Sequence, residues 1–183
     1  MITTLELMHS QIKRCYDITH RLRTLGKSQA QAESCAVNDV IEDILDLLDQ
    51  QFSASRIKIS KRLGKQLPLV GLSRIDGHQV IHNLLTNAIA AMPGGGNIRI
   101  RTFLDKTSKL MAIEVIDDGV GITSKHLPKV FEPFFTTKEQ GIEKSSGLGL
   151  SIVYAIIQEA GGSIHIQSSL RKGTQVNILL PLR

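Results

Sequence analysis

From residue 37 onward the apolar residues of this chain switch repeatedly between helical and strand spacing, and that alternation restricts the fold more than any other feature. Val40, Ile41, Ile44, Leu45 and Leu48 share one face of a helix that Asn38 is placed to cap. Ile57 and Ile59 alternate with Lys58 and Ser60, a strand signal. Residues 75–92 return to helical spacing, with Val80, Ile81, Leu84, Leu85, Ala88, Ile89 and Met92 turned inward, and stop at the breaker PGGG over 93–96. Strands follow over 97–104 and 110–117, joined by the polar turn DKTSK. A long stretch containing Gly, Ser and Lys occupies 119–148. A helix over 149–160 stops at Gly161-Gly162, and strands over 163–168 and 174–180 are joined by a turn around SLRKG. Strands pairing as antiparallel neighbours, interspersed with helices, predict an α+β fold: a two-layer α/β sandwich with a mixed, largely antiparallel sheet.

The N-terminal segment is different. Leu5, Met8, Ile12, Cys15, Thr19 and Leu22 recur at spacings of three and four, a heptad-like seam over a helix 5–25. Such a helix suits a helical hairpin or dimeric bundle, or folds onto the main domain as a simple amphipathic helix. The polar run KSQAQAESCA reads as a linker. The chain thus divides into a helix within 1–27, a linker over 28–36 and a domain over 37–183.

Composition narrows the function classes. With 42% hydrophobic and 21% charged residues the chain is of ordinary globular type. No apolar run is long enough to cross a bilayer, and MITTLELMHSQIKRC lacks the apolar core of a secretion signal, which predicts a cytoplasmic chain. Cys15 and Cys35 have no His/Cys cluster around them and suggest neither a zinc site nor a disulfide framework. The net charge of +5 raises the question of nucleic acid, but there is no Trp, only two Tyr and five Phe, and the basic residues are scattered. A polyphosphate ligand accounts for the basic excess equally well, and nucleic acid is not expected as a partner.

Four short segments carry chemistry together. In NLLTNA, Asn83 and Asn87 lie four apart on one helix face, where Asn is disfavoured by competition of its amide with the backbone. Their amide oxygens are either hard ligands for Mg²⁺ or solvated or core-bonded groups. In DDGVGI, Asp117 ends an apolar strand and Gly119 and Gly121 permit a sharp turn and close approach to a flat ligand. The carboxylate either accepts from an exocyclic amine or belongs to an ordinary Asp-Gly turn. FEPFFTTK, from Phe131 to Lys138, gathers three phenylalanines in one loop, as a lid with Lys138 reaching toward phosphate or as a satellite hydrophobic cluster. Gly147, Leu148 and Gly149 open a helix, and glycines before a helix N-terminus make a phosphate cradle. Neither the P-loop nor the dinucleotide fingerprint is present.

In order and spacing these segments resemble the catalytic ATP-binding domain of sensor histidine kinases, within the superfamily that includes gyrase, a heat-shock chaperone and the mismatch-repair ATPase. The closing GGSIHIQSSLRKGTQVNILLPL resembles the terminal hairpin of that domain, and FEPFFTTK resembles kinases of the nitrogen-regulation type. The resemblance covers about residues 37–183 and implies a Bergerat-type ATP fold preceded by one helix of a dimerisation hairpin. It implies ATP and Mg²⁺ as cofactors, with Asn87 as the Mg²⁺ ligand, Asn83 as the first Asn of its box and Asp117 as the acceptor for the adenine amine. Gly119, Gly121 and Ile122 would shape that side of the pocket, and Thr174 after Gly173 matches a pocket threonine. Gly147, Leu148 and Gly149 match the phosphate loop, and residues 123–146 the ATP lid, with Phe131 and Lys138 in it. Superfamily hydrolases carry Glu where this chain has Asn83, which cannot serve as a general base. Phosphoryl transfer to a protein group is implied rather than fast hydrolysis.

There are departures. Ser145 stands where the phosphate-loop box often begins with Gly, and Asp118 stands where Asn is common, adding negative charge beside the pocket. His9 is followed by Ser10 and His20 by Arg21, so neither resembles the acceptor-histidine box, while residues 5–25 resemble the second hairpin helix. His78 and His82 read as helix-surface residues. The chain reads as a fragment or truncated product that transfers phosphoryl to a histidine outside itself and thence to a response regulator. That histidine would lie on a hairpin in cis in a longer protein or in trans, and the full-length kinase would be a homodimer. The other readings are a non-catalytic truncated kinase and an anti-sigma-type regulator that bind ATP and a protein partner.

Overall fold

A computed structural model describes residues 34–105, 107–137 and 146–183; the helix expected over 5–25, with Cys15, His9 and His20, lies outside the described residues, as do Lys138 and Ser145. In chain order the elements are α1 (Val37–Ala54), β1 (Ile57–Leu63), α2 (Arg74–Ala90), β2 (Gly96–Leu104), β3 (Met111–Asp117), a 3₁₀ turn (Leu127–Lys129), α3 (Gly149–Glu159), β4 (Ser163–Ser168) and β5 (Thr174–Leu180).

The five strands form one sheet in the order β1-β2-β3-β5-β4. The expected antiparallel pairing holds for β2 with β3, β3 with β5 and β4 with β5. The parallel member of the mixed sheet is β1, which runs alongside β2 with Ile57 opposite Gly96 and Leu63 opposite Thr102. Helix α2 intervenes between these two strands, and a chain returning through a helical crossover enters the sheet in the direction it left.

Alternation along the strands decides which face is covered. Ile98, Ile100 and Thr102 of β2 are buried while Asn97, Arg99 and Arg101 are exposed. Met111, Ile113 and Val115 of β3 and Val176, Ile178 and Leu180 of β5 continue the buried face. Against it lie Ile41, Ile44 and Leu48 of α1, Ile81, Leu85 and Ala88 of α2, and Val153, Ile156 and Ile157 of α3. Each fully buried Ile or Leu is worth about 1.5–3 kcal/mol over its exposed state, so this single seam dominates the stability of the described unit.

Ala36, not Asn38, stands at the cap of α1, and it makes no side-chain cap bond. The Asn38 amide instead reaches sideways: Nδ2 donates to Gly64 O at 2.8 Å and Oδ1 accepts from Thr102 Oγ1 at 2.8 Å. Thr102 is buried, its Oγ1 also accepts from Gly64 N at 3.0 Å, and a hydroxyl proton left there without an acceptor would cost more than an open helix end that water can satisfy. Ser73 does cap α2, accepting from Asp76 N at 3.0 Å. Cys35, at the end of the polar stretch, is buried and bridges Val70, whose other bridge is to Leu182, so packing reaches back into residues expected as linker. The compact unit runs from Ser34 to Arg183.

Candidate functional site

At one end of the covered face three strands present a row of polar side chains. Asp117 of β3 lies directly opposite Thr174 of β5, and Thr174 opposite Ser168 of β4. Directly paired residues project to the same side of a sheet, so all three face the helices. Asp117 is 8% exposed. Its Oδ1 accepts from Gly119 N at 2.9 Å and Thr174 N at 3.2 Å, and Oδ2 takes no hydrogen bond among the described residues. Burial pushes the Asp117 carboxyl up from its ordinary range; the two N–H bonds oppose this and the neighbouring Asp118 charge adds to it. One oxygen is tied to the backbone and the other is left as an acceptor.

The loop after Asp117 is sewn to its surroundings. Val120 N donates to Ala91 O at 3.0 Å, and Val120 O accepts from Arg171 N at 2.7 Å. Ile122 N donates to Ser168 Oγ at 2.8 Å. Gly121 has φ +69°, and a Cβ there would overlap the Ser169 carbonyl oxygen. Gly173 has φ +82°, and a Cβ there would overlap Asp117 O. Only glycine brings these backbones so close in that conformation. Gly119 is packed too, with a Cβ falling 2.7 Å from Ala91 O.

On α2, Asn83 and Asn87 are half-buried and face the start of α3. Asn83 Nδ2 donates to Gly149 O at 3.3 Å. A Cβ on Gly149 would sit 3.6 Å from Asn87 Nδ2, so the second amide adjoins the same helix start. Asn87 makes no side-chain hydrogen bond among the described residues, which leaves its amide oxygen available. Helix α3 begins after Leu148 with no side-chain cap, so its first N–H groups are open to an anion. Gly147 has φ +67°, and a Cβ there would come within 2.5 Å of the Phe134 carbonyl carbon. The glycine loop is therefore packed on the phenylalanine segment.

That segment rests on the domain. Phe131 and Phe135 pack against the core, Phe131 lies 5.0 Å from the Tyr154 ring of α3, and Phe135 meets His126 edge-on at 5.7 Å. Asp118, expected to place charge beside the pocket, is exposed and bound to β2: its Oδ1 accepts from Asn97 N at 2.8 Å and its Oδ2 from Asn97 Nδ2 at 2.7 Å. These bonds hold its carboxyl below the usual range. His78 pairs with Asp43 at 2.8 Å, tying α2 to α1.

Helix α2 links two groups of motif residues: Ala91 O, just past its end, accepts from Val120 N, and Asn83 Nδ2 donates to Gly149 O. Asp117, Gly119, Gly121, Ile122 and Thr174 form one group, and Asn83, Asn87, Gly147, Leu148 and Gly149 meet at the α2–α3 junction. Phe131 lies against Tyr154 of α3. Sequence reasoning missed Ser168 and Asn97. Both are ordinary polar residues near a strand end, and only the register reveals what they touch. The donor set suits a purine nucleotide: a buried acceptor, an uncapped glycine-bounded helix start, and an unbonded amide oxygen of the hard type that Mg²⁺ takes.

Residues 73–183 match the family described as histidine kinase-, DNA gyrase B- and HSP90-like ATPase. Sporulation kinase E of Bacillus subtilis is 37% identical over 176 residues, covering 95% of this chain and 23% of that protein. Sensor kinase CckA of Brucella abortus is 36% identical over 182 residues, covering 92% of this chain and 19% of that protein. The chain therefore spans about a quarter or less of the length of these relatives. Among solved structures, the catalytic domain of histidine kinase ThkA superposes with a TM-score of 0.72 at 28% identity, covering 84% of this chain and 99% of that one. The mycobacterial sensor histidine kinase MprB does so with a TM-score of 0.72 at 25% identity, over 84% and 99%. With its site geometry and a family match across most of its length, the chain belongs to the histidine kinase-, DNA gyrase B- and HSP90-like ATPase family and carries that family's ATP-binding fold.

Proposed function

We propose that this domain transfers the γ-phosphoryl of ATP to a histidine on an acceptor hairpin, from which a response regulator receives it. The observation that carries this reading is Asn83. An amide cannot accept a proton from water, and this one spends its N–H₂ group on Gly149 O, tying α2 to the helix start. With no base at that position, hydrolysis is disfavoured and positioning of the phosphoryl for a protein nucleophile remains. In the transfer the bond from the γ-phosphorus to the bridging oxygen breaks, a phosphorus–nitrogen bond forms, and ADP leaves. Similarity to sporulation kinases and to CckA supports the same reading.

The residues divide the work. Asp117 Oδ2 would accept from the adenine amine, with Thr174 beside it and Gly119, Gly121 and Ile122 shaping the wall. The amides of Gly147 and Gly149 at the α3 N-terminus would hold phosphate oxygens, joined by that of Leu148 on giving up its 3.3 Å bond to Ser146 Oγ, and Phe131 and Lys138 would belong to the lid. Asn87 would hold Mg²⁺, which when bound neutralises phosphate charge. Residues 37–183 would be the catalytic domain, 1–27 part of a dimerisation hairpin and 28–36 a linker, in a cytoplasmic homodimer. Among the described residues no helix is long and apolar enough to cross a membrane.

The test is to mix the chain with a separately made acceptor-histidine hairpin and γ-labelled ATP. Acid-labile label on the hairpin is the expected result. Nucleotide binding with no transfer would favour a regulator that only binds ATP, and rapid release of free phosphate would favour a hydrolase.

A further inference from the structure

Ser168 sits in the polar row beside Thr174, and its hydrogen bonds can be assigned by counting protons. Gly173 O, 2.8 Å from Ser168 Oγ, can only accept, so the single Ser168 hydroxyl proton goes there. Ile122 N–H donates to the same oxygen at 2.8 Å. The remaining neighbour is Thr174 Oγ1 at 3.0 Å, a contact in which either hydroxyl could in principle donate. With the Ser168 proton already engaged, Thr174 is the donor. Ser168 then makes one donated and two accepted bonds, the full capacity of a hydroxyl. Thr174 has given up its only hydroxyl proton and keeps acceptor lone pairs alone.

Beside it, Asp117 has Oδ1 occupied by two backbone N–H groups and Oδ2 without a partner among the described residues. An ionised carboxylate is also acceptor-only. This end of the sheet's covered face therefore offers a ligand acceptors and no side-chain donor from the row. We propose that Ser168 is a specificity-determining positioning residue: by taking the Thr174 hydroxyl proton it makes the base-binding row all-acceptor, which selects a purine with an exocyclic amine at C6 over one with a carbonyl there. The adenine amine has two N–H donors for the two acceptors, whereas hypoxanthine has only its ring N–H to give and its carbonyl oxygen, facing acceptors, stays unpaired; sites built to pair one polar group reject its mismatch strongly. A freely rotating threonine hydroxyl would turn and donate to that carbonyl, and the discrimination would relax. The inference rests on the nucleotide reading of the site.

The experiment compares the affinities of ATP and ITP by titration calorimetry at pH 8 with Mg²⁺, on the whole chain and its S168A, S168T and T174V variants. ITP differs from ATP at the 6-position and its adjoining ring nitrogen and adds no 2-amino group. S168A and T174V are expected to lower the ATP-to-ITP affinity ratio by about tenfold, the scale of one hydrogen bond. S168T, which keeps the hydroxyl, retains the unmodified ratio. Parallel weakening of both nucleotides in S168A with an unchanged ratio makes Ser168 a loop clamp only and overturns the inference. An unchanged ratio in T174V does the same without any change at position 168, so the test survives if S168A fails to fold. If the unmodified chain binds ITP as tightly as ATP, this inference falls and the nucleotide reading stands; if it binds neither, both fall.

Discussion

Asp117→Asn separates the proposed adenine role of this side chain from its structural one. Asn keeps an amide oxygen that can accept from Gly119 N and Thr174 N in place of Oδ1. The group replacing Oδ2 becomes an N–H₂ donor facing a ligand amine that also donates. One charge-assisted hydrogen bond is lost, about 1.5–3 kcal/mol, so ATP affinity should fall by roughly 10- to 150-fold. Stability should not fall with it, because the substitution removes a charge that burial disfavours. The two effects have opposite pH signs in the unmodified protein. Because the folded-state carboxyl titrates above its unfolded value, the stability it contributes is full below the unfolded value and lost as pH rises through the folded one. Nucleotide affinity needs the ionised form and rises with pH through the same window. Titration calorimetry across pH 4–8 with parallel thermal melts should show both trends in the unmodified protein and flatten both in the variant. Unchanged ATP affinity in Asp117→Asn, or collapse of its fold, would refute the assignment of Oδ2 to the ligand.

Asn87→Ala should lower Mg²⁺-dependent ATP affinity by about 10-fold or more while leaving the melting temperature nearly unchanged, since this amide makes no hydrogen bond among the described residues; equal losses with and without Mg²⁺ would remove it from the metal site. Gly121→Ala combines a left-handed backbone with overlap of the Ser169 carbonyl, so it should destabilise by at least ~2 kcal/mol, or about 4–8 °C in a thermal melt. A melt within a degree of the original would show that the loop relaxes freely. Asn38→Ala removes the donor to Gly64 O and the acceptor of the Thr102 hydroxyl proton and should cost about 1–3 kcal/mol in urea unfolding, whereas loss of a helix cap alone would leave those groups untouched.

The periodicity of apolar residues was enough to locate the three α-helices and five strands described between residues 37 and 183, because burial of one face is a local requirement written at spacings of two and 3.6, though it left the ends of α1 and β1 open and gave no sign of the 3₁₀ turn. The motif glycines, Asp117 and the two asparagines were legible for a related reason: φ beyond +60° at Gly121 and Gly147, and amides inside an apolar helix, are unusual demands that few residues meet. Pairing was less legible. Whether β1 runs with or against β2 depends on how a helix crosses between them, and no residue in either strand encodes that alone. Asn38 illustrates the same limit, since its position suggests a cap while its partners, Gly64 and Thr102, come from 26 and 64 residues away. Asp118 does place a charge next to Asp117, as its position in the sequence suggests, but only the register shows that Asn97 binds both of its oxygens. Ser168 is the clearest case. As a residue it is one serine among several, and it gains meaning only when strand register sets it opposite Thr174 and the chain brings Ile122 and Gly173 O to the same oxygen. Local chemistry named the groups able to bind a nucleotide; which lone pairs and protons face it is decided by contacts distant in sequence, because a hydroxyl's direction belongs to its neighbours.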